Sequence, residues 1–283
     1  MPRDFRKSVG FLMAGEEHVG TSFLVSVPVT KDPRDGVMIY AVTAGHLIDG
    51  TRPDGDLVLR VNKVGGGHEP FPIDHDRWIV SPSVDAAVVR VGYDRQKSRE
   101  LDVVPIPFDG LLSDARAAEL DVGEGDEMFY FATLFASVPG KRRHLPIARF
   151  GHVALMPQQD DPITLAFKDD ADCEVFTRTF PAYLAEAHSR GGHSGSPAFL
   201  HFPLSRKPGQ LPGLTAAGPA GVMAVLGVVA AQYDVELDAD VPRGGNSGIA
   251  VVVPAQHIID LLMAKDSVKE REKARREVEA EHA

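Results

Sequence analysis

Short runs rich in Val, Ile and Phe recur along the whole chain, and Gly, Pro, Asp and Asn punctuate them. β-Branched and aromatic residues suit a pleated, half-buried surface. The runs predict strands over Ser22–Val29, Gly36–Thr43, Leu57–Val61, Ala86–Gly92, Glu127–Phe135, Arg149–Leu155, Ile163–Phe167, Ser196–Leu200, Val222–Gln232 and Gly248–Val253. Helical periodicity is weak until the end of the chain. Many short strands with turn signals between them are the pattern of a β-sandwich or β-barrel.

The chain is large enough for two such units. It has 283 residues, of which 43% are hydrophobic and 25% charged, so a sizeable core can be buried. The formal charge is −10, with 40 acidic against 30 basic side chains. Proteins that grip phosphate backbones usually carry a basic surplus, so no nucleic-acid partner is expected. A single cysteine, Cys173, allows no intrachain disulfide and no all-cysteine zinc site. Its neighbours Asp172 and Glu174 oppose thiolate formation, so it reads as a structural residue. The apolar run Val9–Ala14 is too short and too closely flanked by charge for a signal peptide. The longest apolar stretch, Ala220–Ala231, falls short of the roughly 20 residues of a membrane helix. A soluble, cytoplasmic protein with no membrane partner is the expectation; the sequence assigns no oligomeric state.

Two halves are suggested, joined by a connector over Phe108–Leu120 with room for one helical turn. After Pro254, which suits the start of a helix, Ile258, Ile259, Leu261 and Leu262 give an apolar face. Beyond them the chain turns highly charged, with i,i+4 pairs such as Glu272–Arg276. That segment reads as a solvated helical tail. Removing residues 267–283 is expected to leave the chemistry of the chain nearly unchanged.

Three segments carry chemistry. The string Gly191-Gly192-His193-Ser194-Gly195-Ser196-Pro197 sets a serine among glycines ahead of an apolar strand. Glycines let backbone amides converge on one point, as an oxyanion hole requires. Tyr40-Ala41-Val42-Thr43-Ala44-Gly45-His46 is a strand that ends in a histidine, and Val84-Asp85-Ala86-Ala87-Val88-Val89 opens a strand with an aspartate. A serine hydroxyl is a poor nucleophile until an imidazole takes its proton, and the imidazole needs a carboxylate to fix its tautomer. One candidate for each role stands in the order His, Asp, Ser. Asp74 and Asp76 are rival carboxylates, but they lie in a polar stretch and do not open a strand.

Thr43-Ala44-Gly45-His46, Asp85-Ala86-Ala87-Val88 and Gly192-His193-Ser194-Gly195-Ser196-Pro197 resemble the three motifs of the chymotrypsin/trypsin-like serine proteases. Gly20-Thr21-Ser22-Phe23-Leu24-Val25, Leu226-Gly227-Val228-Val229-Ala230 and Gly245–Pro254 are similar to flanking strands of the bacterial high-temperature-requirement-like branch. The resemblance spans about residues 9–262. It implies an all-β fold of two six-stranded antiparallel β-barrels with a C-terminal helix. Residues 9–110 would form the first barrel, with His46 and Asp85. Residues 111–262 would form the second, with Ser194, and residues 263–283 the charged tail. No peptide-binding domain is expected to follow.

The same resemblance implies the roles. His46 would be general base and acid, Asp85 its orienter and Ser194 the nucleophile, with the N–H groups of Gly192 and Ser194 as the oxyanion hole. The activity would be that of a serine endopeptidase acting on a polypeptide substrate, with no metal and no cofactor. His193 stands where digestive relatives carry aspartate, so it cannot be the anionic partner of a freshly cut N-terminus. Another contact must shape the Arg190–Ser194 loop, and N-terminal processing is not expected. His188 is a candidate lining residue for the primary specificity pocket, with Val228–Tyr233 and Asn246–Ala250 as its walls and a medium apolar side chain as the preferred occupant. Two other readings compete. One is an α/β-hydrolase esterase, because Gly192-His193-Ser194-Gly195 resembles the start of the G-x-S-x-G elbow. The other is a protease-fold binding module without activity.

Overall fold

The computed structural model describes residues 4–29, 36–50, 57–91, 99–132, 145–168, 175–202, 222–234 and 246–281. Cys173 and the tail end of the predicted strand Glu127–Phe135 lie outside them, as do His144 and His282.

Among the described residues, sixteen strands carry the fold. The first half holds β1 (Val9–Ala14), β2 (Glu17–Pro28), β3 (Val37–Thr43), β4 (Leu57–Asn62), β5 (His68–Ile73), β6 (Ile79–Val80), β7 (Ala87–Val91) and β8 (Ile106–Pro107). They form one sheet ordered β5-β4-β1-β2-β3-β7-β6, with β8 parallel to β2. The second half holds β9 (Glu127–Ala132), β10 (Ile147–Leu155), β11 (Ile163–Lys168), β12 (Val175–Phe180), β13 (Tyr183–Glu186), β14 (Pro197–Phe202), β15 (Val222–Asp234) and β16 (Asn246–Pro254). Six of these close into a barrel, β10-β13-β16-β15-β14-β9, while among the described residues β11 and β12 pair only with each other. A closed barrel beside a half-barrel sheet is consistent with the chymotrypsin-like double barrel. The first sheet remains open at β5 and at the two-residue β6.

The apolar runs are explained by burial on both faces. In β2, Phe23, Val25 and Val27 point into a large cluster shared with the second half, whereas Leu24 points into a smaller cluster inside the first. In β3, Tyr40 and Val42 face the shared cluster and Ile39 and Ala41 the smaller one. Strands covered on both sides lose polar alternation and read as continuous apolar runs. The shared cluster is aromatic at one end, where Phe129 stacks on Phe199 at 5.1 Å and Phe5 meets Phe199 edge-on, also at 5.1 Å. Such pairs add to the area they bury.

The connector contains a short helix, α1, over Asp114–Glu119, which the Ser113 side chain caps by accepting the Arg116 N–H at 3.2 Å. The helix Ala255–Leu262 follows β16, and Pro254 is its N-cap. It buries Ile258, Leu261 and Leu262 in the shared cluster.

The last helix, Lys265–Glu281, departs from a merely solvated tail. Ser267 is fully buried and Arg271 is 7% exposed. The Ser267 hydroxyl donates to Leu261 O at 3.1 Å. Arg271 reaches the buried Tyr40 of β3, with Nη1 3.2 Å from the phenol oxygen. Its guanidinium also lies 5.9 Å from the Tyr40 ring centroid. An arginine among exposed charges gave no sign of this in sequence, because its anchor lies 231 residues away. Arg271→Ala is expected to lower stability by about 1–3 kcal/mol, through the lost packing and the lost bond to a phenol that still donates to Ser267 O at 3.4 Å. A denaturant midpoint that drops at unchanged slope is the expected reading. A midpoint equal to that of the parent would mean the helix is not docked in solution.

Candidate functional site

His46 opens a one-turn helix, His46–Asp49, directly after β3. Asp85 lies fully buried on a turn ahead of β7. That turn is held by Ser81, whose N–H donates to Ala86 O at 2.9 Å. The Ser81 hydroxyl oxygen accepts the N–H groups of Ser83 and Val84 at 3.3 and 3.2 Å. Asp85 meets His46 twice. Its Oδ1 accepts the His46 main-chain N–H at 2.7 Å, and its Oδ2 lies 2.7 Å from Nδ1. A carboxylate only accepts hydrogen bonds, so the imidazole proton sits on Nδ1 and the Nε2 lone pair is left over. Asp85, and not Asp74 or Asp76, is the carboxylate the fold brings to this ring.

One face of the imidazole is covered by Phe167 of β11. The two rings are stacked, 12° from parallel, with centroids 4.5 Å apart.

Ser194 sits on the turn before β14, and the turn is tied to both halves. Thr21 of β2 donates its N–H to Ser194 O at 2.8 Å and its hydroxyl to Gly192 O at 2.8 Å. The Gly195 N–H donates to Val229 O of β15 at 2.7 Å. Gly195 has φ +86°, and a Cβ there would stand 1.8 Å from Thr21 O, so only glycine fits. The Ser194 hydroxyl donates to Ala230 O at 2.9 Å. A hydroxyl has a single proton, so this bond must break before the imidazole can receive it. Gly192 also has positive φ, +88°.

His193 is the contact that shapes this loop. It is fully buried. Its N–H donates to Arg190 O at 3.0 Å, and its Nδ1 accepts the Arg190 N–H at 3.2 Å. The buried Tyr130 hydroxyl lies 3.2 Å from the same Nδ1 and donates to His188 O at 2.6 Å. Because a main-chain N–H can only donate, Nδ1 is unprotonated and the ring proton is on Nε2. Burial, followed by the positive charges of Arg149 and Arg190, pushes the His193 pKa down to about 4. Burial likewise pushes the Tyr130 hydroxyl up to about 12.

Sequence reasoning assigned no role to Tyr130, Phe167 or Arg178, and placed Ala230 only in the expected pocket wall, not as the acceptor of the Ser194 hydroxyl. Thr21 and Thr43 were legible only as motif letters. They are fully buried hydroxyls in apolar strands, and Thr43 Oγ1 donates to Thr21 O at 2.7 Å. His188 is exposed, and Gly248 lies beneath it, with 4.0 Å between its would-be Cβ and His188 Cε1. A cavity of about 840 Å³ adjoins His188, Ser247 and Gly248, but none of His46, Asp85 or Ser194 lines it. It is therefore not the cleft of the His46–Ser194 site. A strand, β14, and no helix follows Ser194, in an all-β fold. That removes the α/β-hydrolase reading, whose elbow feeds a helix.

No protein-family model matches the chain, and no curated protein sequence matches it. Solved structures do. It is similar to the active form of the Rv3671c protease from M. tuberculosis, at 19% identity and TM-score 0.48, over 91% of this chain and 80% of that one. It is similar to the scabies mite inactivated protease paralogue S-D1, at 11% identity and TM-score 0.49, over 93% and 94%. It is also similar to neuropsin, a serine protease of mouse brain, at 12% identity and TM-score 0.48, over 92% and 95%. The double-barrel description rests on the strand order above, not on these likenesses.

The His193 geometry sets a pH dependence. Its folded pKa lies below the ordinary value of 6.5, so between pH 6.5 and about 4 the unfolded chain binds more protons at this site. Its contribution is complete above pH 6.5 and is lost as pH falls toward 4, by on the order of 3 kcal/mol. His193→Asn keeps an acceptor for the Arg190 N–H and removes the titration. Unfolding free energies at pH 7 and 4.5 are expected to fall less in this variant than in the parent. Equal falls would contradict the buried neutral ring.

Proposed function

We propose that the protein is a serine endopeptidase of the trypsin-like kind, hydrolysing peptide bonds through an acyl-enzyme. The observation that supports it is the His46–Asp85 pair. A buried carboxylate holds both the main chain and Nδ1 of one histidine, which leaves Nε2 as a free base. Ser194 Oγ attacks the substrate carbonyl carbon, and its proton passes to His46 Nε2 once the Ala230 bond is given up. The tetrahedral oxyanion is taken by the N–H groups of Gly192 and Ser194. His46 returns the proton to the leaving amine as the C–N bond breaks. Water then repeats the sequence on the ester and frees Ser194. Asp85 stabilises the imidazolium formed in both steps. None of these steps calls on a metal or a cofactor. The likeness of Gly20–Val25, Leu226–Ala230 and Gly245–Pro254 to its flanking strands supports the bacterial high-temperature-requirement-like branch, and a polypeptide substrate and a cytoplasmic location are proposed.

A second reading has one observation in its favour. The Ser194 hydroxyl is donated to Ala230 O, as suits a protease-fold binding module that does not hydrolyse. Turnover separates the two. Ser194→Ala is expected to lower kcat on casein or a peptide library by on the order of 10⁴ to 10⁶ while the fold is kept. Activity is expected to persist in EDTA. Turnover at the parent rate in Ser194→Ala would remove the nucleophile assignment.

A further inference from the structure

Among the described residues, the β11–β12 hairpin belongs to neither large sheet and its strands pair only with each other. An isolated two-stranded hairpin is marginally stable in water, so its inner face needs a partner. Along β12, Val175, Thr177 and Thr179 are exposed, while Phe176 and Arg178 are half-buried and Phe180 is buried. Along β11, Leu165 and Phe167 are buried. The register sets Phe167 opposite Phe176 and Leu165 opposite Arg178. All four therefore share one face.

That face rests on the His46–Asp85 pair. Phe167 covers the imidazole, Phe176 tilts against Phe167 at 5.5 Å, and the Arg178 guanidinium lies 5.9 Å from the Phe176 centroid. Arg178 Nη1 donates to Val84 O at 2.6 Å and to Ser81 O at 3.2 Å. Its Nη2 pairs with the Asp49 carboxylate. Ser81 and Val84 belong to the turn that presents Asp85, and Asp49 closes the helix that His46 opens. The guanidinium also lies against Gly45, where a Cβ would stand 2.8 Å from Nη1 and 3.2 Å from Asp85 Oδ1. One planar cation thus grips both segments that carry the pair. A lysine places its donors on one nitrogen and does not reproduce the two-ended fork that reaches Val84 and Ser81 on one side and Asp49 on the other.

We propose, resting on the hydrolytic reading above, that Arg178 is a positioning residue for the reaction. It holds the turn of Asp85 and the helix of His46 at a fixed separation from the opposite half of the molecule. Phe167, stacked on one face of the imidazole, fixes its tilt. A misplacement of about 1 Å in such a pair can cost on the order of a hundredfold in rate.

The test uses the full chain with Arg178→Ala and Arg178→Lys. On a short peptide, kcat is expected to fall about tenfold to a hundredfold in both variants, with KM within about twofold of the parent. Guanidinium ion added to Arg178→Ala is expected to recover part of the loss and to leave the parent unchanged. In the same proteins, the imidazole ¹H–¹⁵N NMR signal of the His46 Nδ1–H bonded to Asp85 is expected to shift or vanish. Parental kcat in Arg178→Ala overturns the proposal. So does a kcat above the parent's, which would make the hairpin an inhibitory cover. An unshifted Nδ1–H signal overturns it as well. If the parent itself does not hydrolyse peptides, the hydrolytic reading fails, and the NMR comparison still decides whether Arg178 holds the pair. Should Arg178→Ala not fold, Arg178→Lys carries the same kinetic and NMR comparisons.

Discussion

The Asp85 carboxylate is the constraint on which the site depends. It is wholly buried, and a carboxylate removed from water is costly unless its oxygens are hydrogen-bonded. Each oxygen has its own bond to His46, one to the main chain and one to the ring. The main-chain bond fixes where the histidine helix begins, and the ring bond fixes which nitrogen carries the proton. The Ser81 turn behind Asp85 and the Arg178 clasp above it hold the carboxylate at that point. Because β3 and β7 are neighbours in one sheet, the two residues meet although 39 positions separate them.

The serine is supplied from the other half, and the two halves are joined by hydrogen bonds at the cleft. Thr21 of β2 bonds to both Gly192 and Ser194. Its own carbonyl accepts from Thr43, at the end of the strand that leads to His46. A short polar chain thus runs from the histidine segment to the serine turn through two buried threonines. Beside that turn, the buried His193 ring lies 3.2 Å from the Tyr130 hydroxyl and accepts the Arg190 N–H through the same nitrogen.

Much of this was legible in the sequence. The apolar runs marked most strands, and the order of His46, Asp85 and Ser194 among them pointed to one site. Other elements were hidden for identifiable reasons. β5 carries Pro70 and Pro72, which argue against a strand, yet it lies at a sheet edge where the missing N–H groups cost little. β12 reads Val-Phe-Thr-Arg-Thr-Phe, a plain alternation, but the inward position of Arg178 breaks the apolar face. Such a local conflict is where function tends to sit. Its meaning needed the tertiary contact, since Ser81 and Val84 lie 97 and 94 residues away. Arg271 was masked in the same way by the exposed charges around it.

Ser194 and His46 are proposed to act as one reactive unit within this fold. The most direct measurement is covalent labelling by a fluorophosphonate, with the adduct located by peptide mass spectrometry. Addition at Ser194 in the parent and its loss in His46→Ala are expected, because the hydroxyl reacts only when the imidazole takes its proton. An unlabelled parent, or an adduct on any residue other than Ser194, would contradict it.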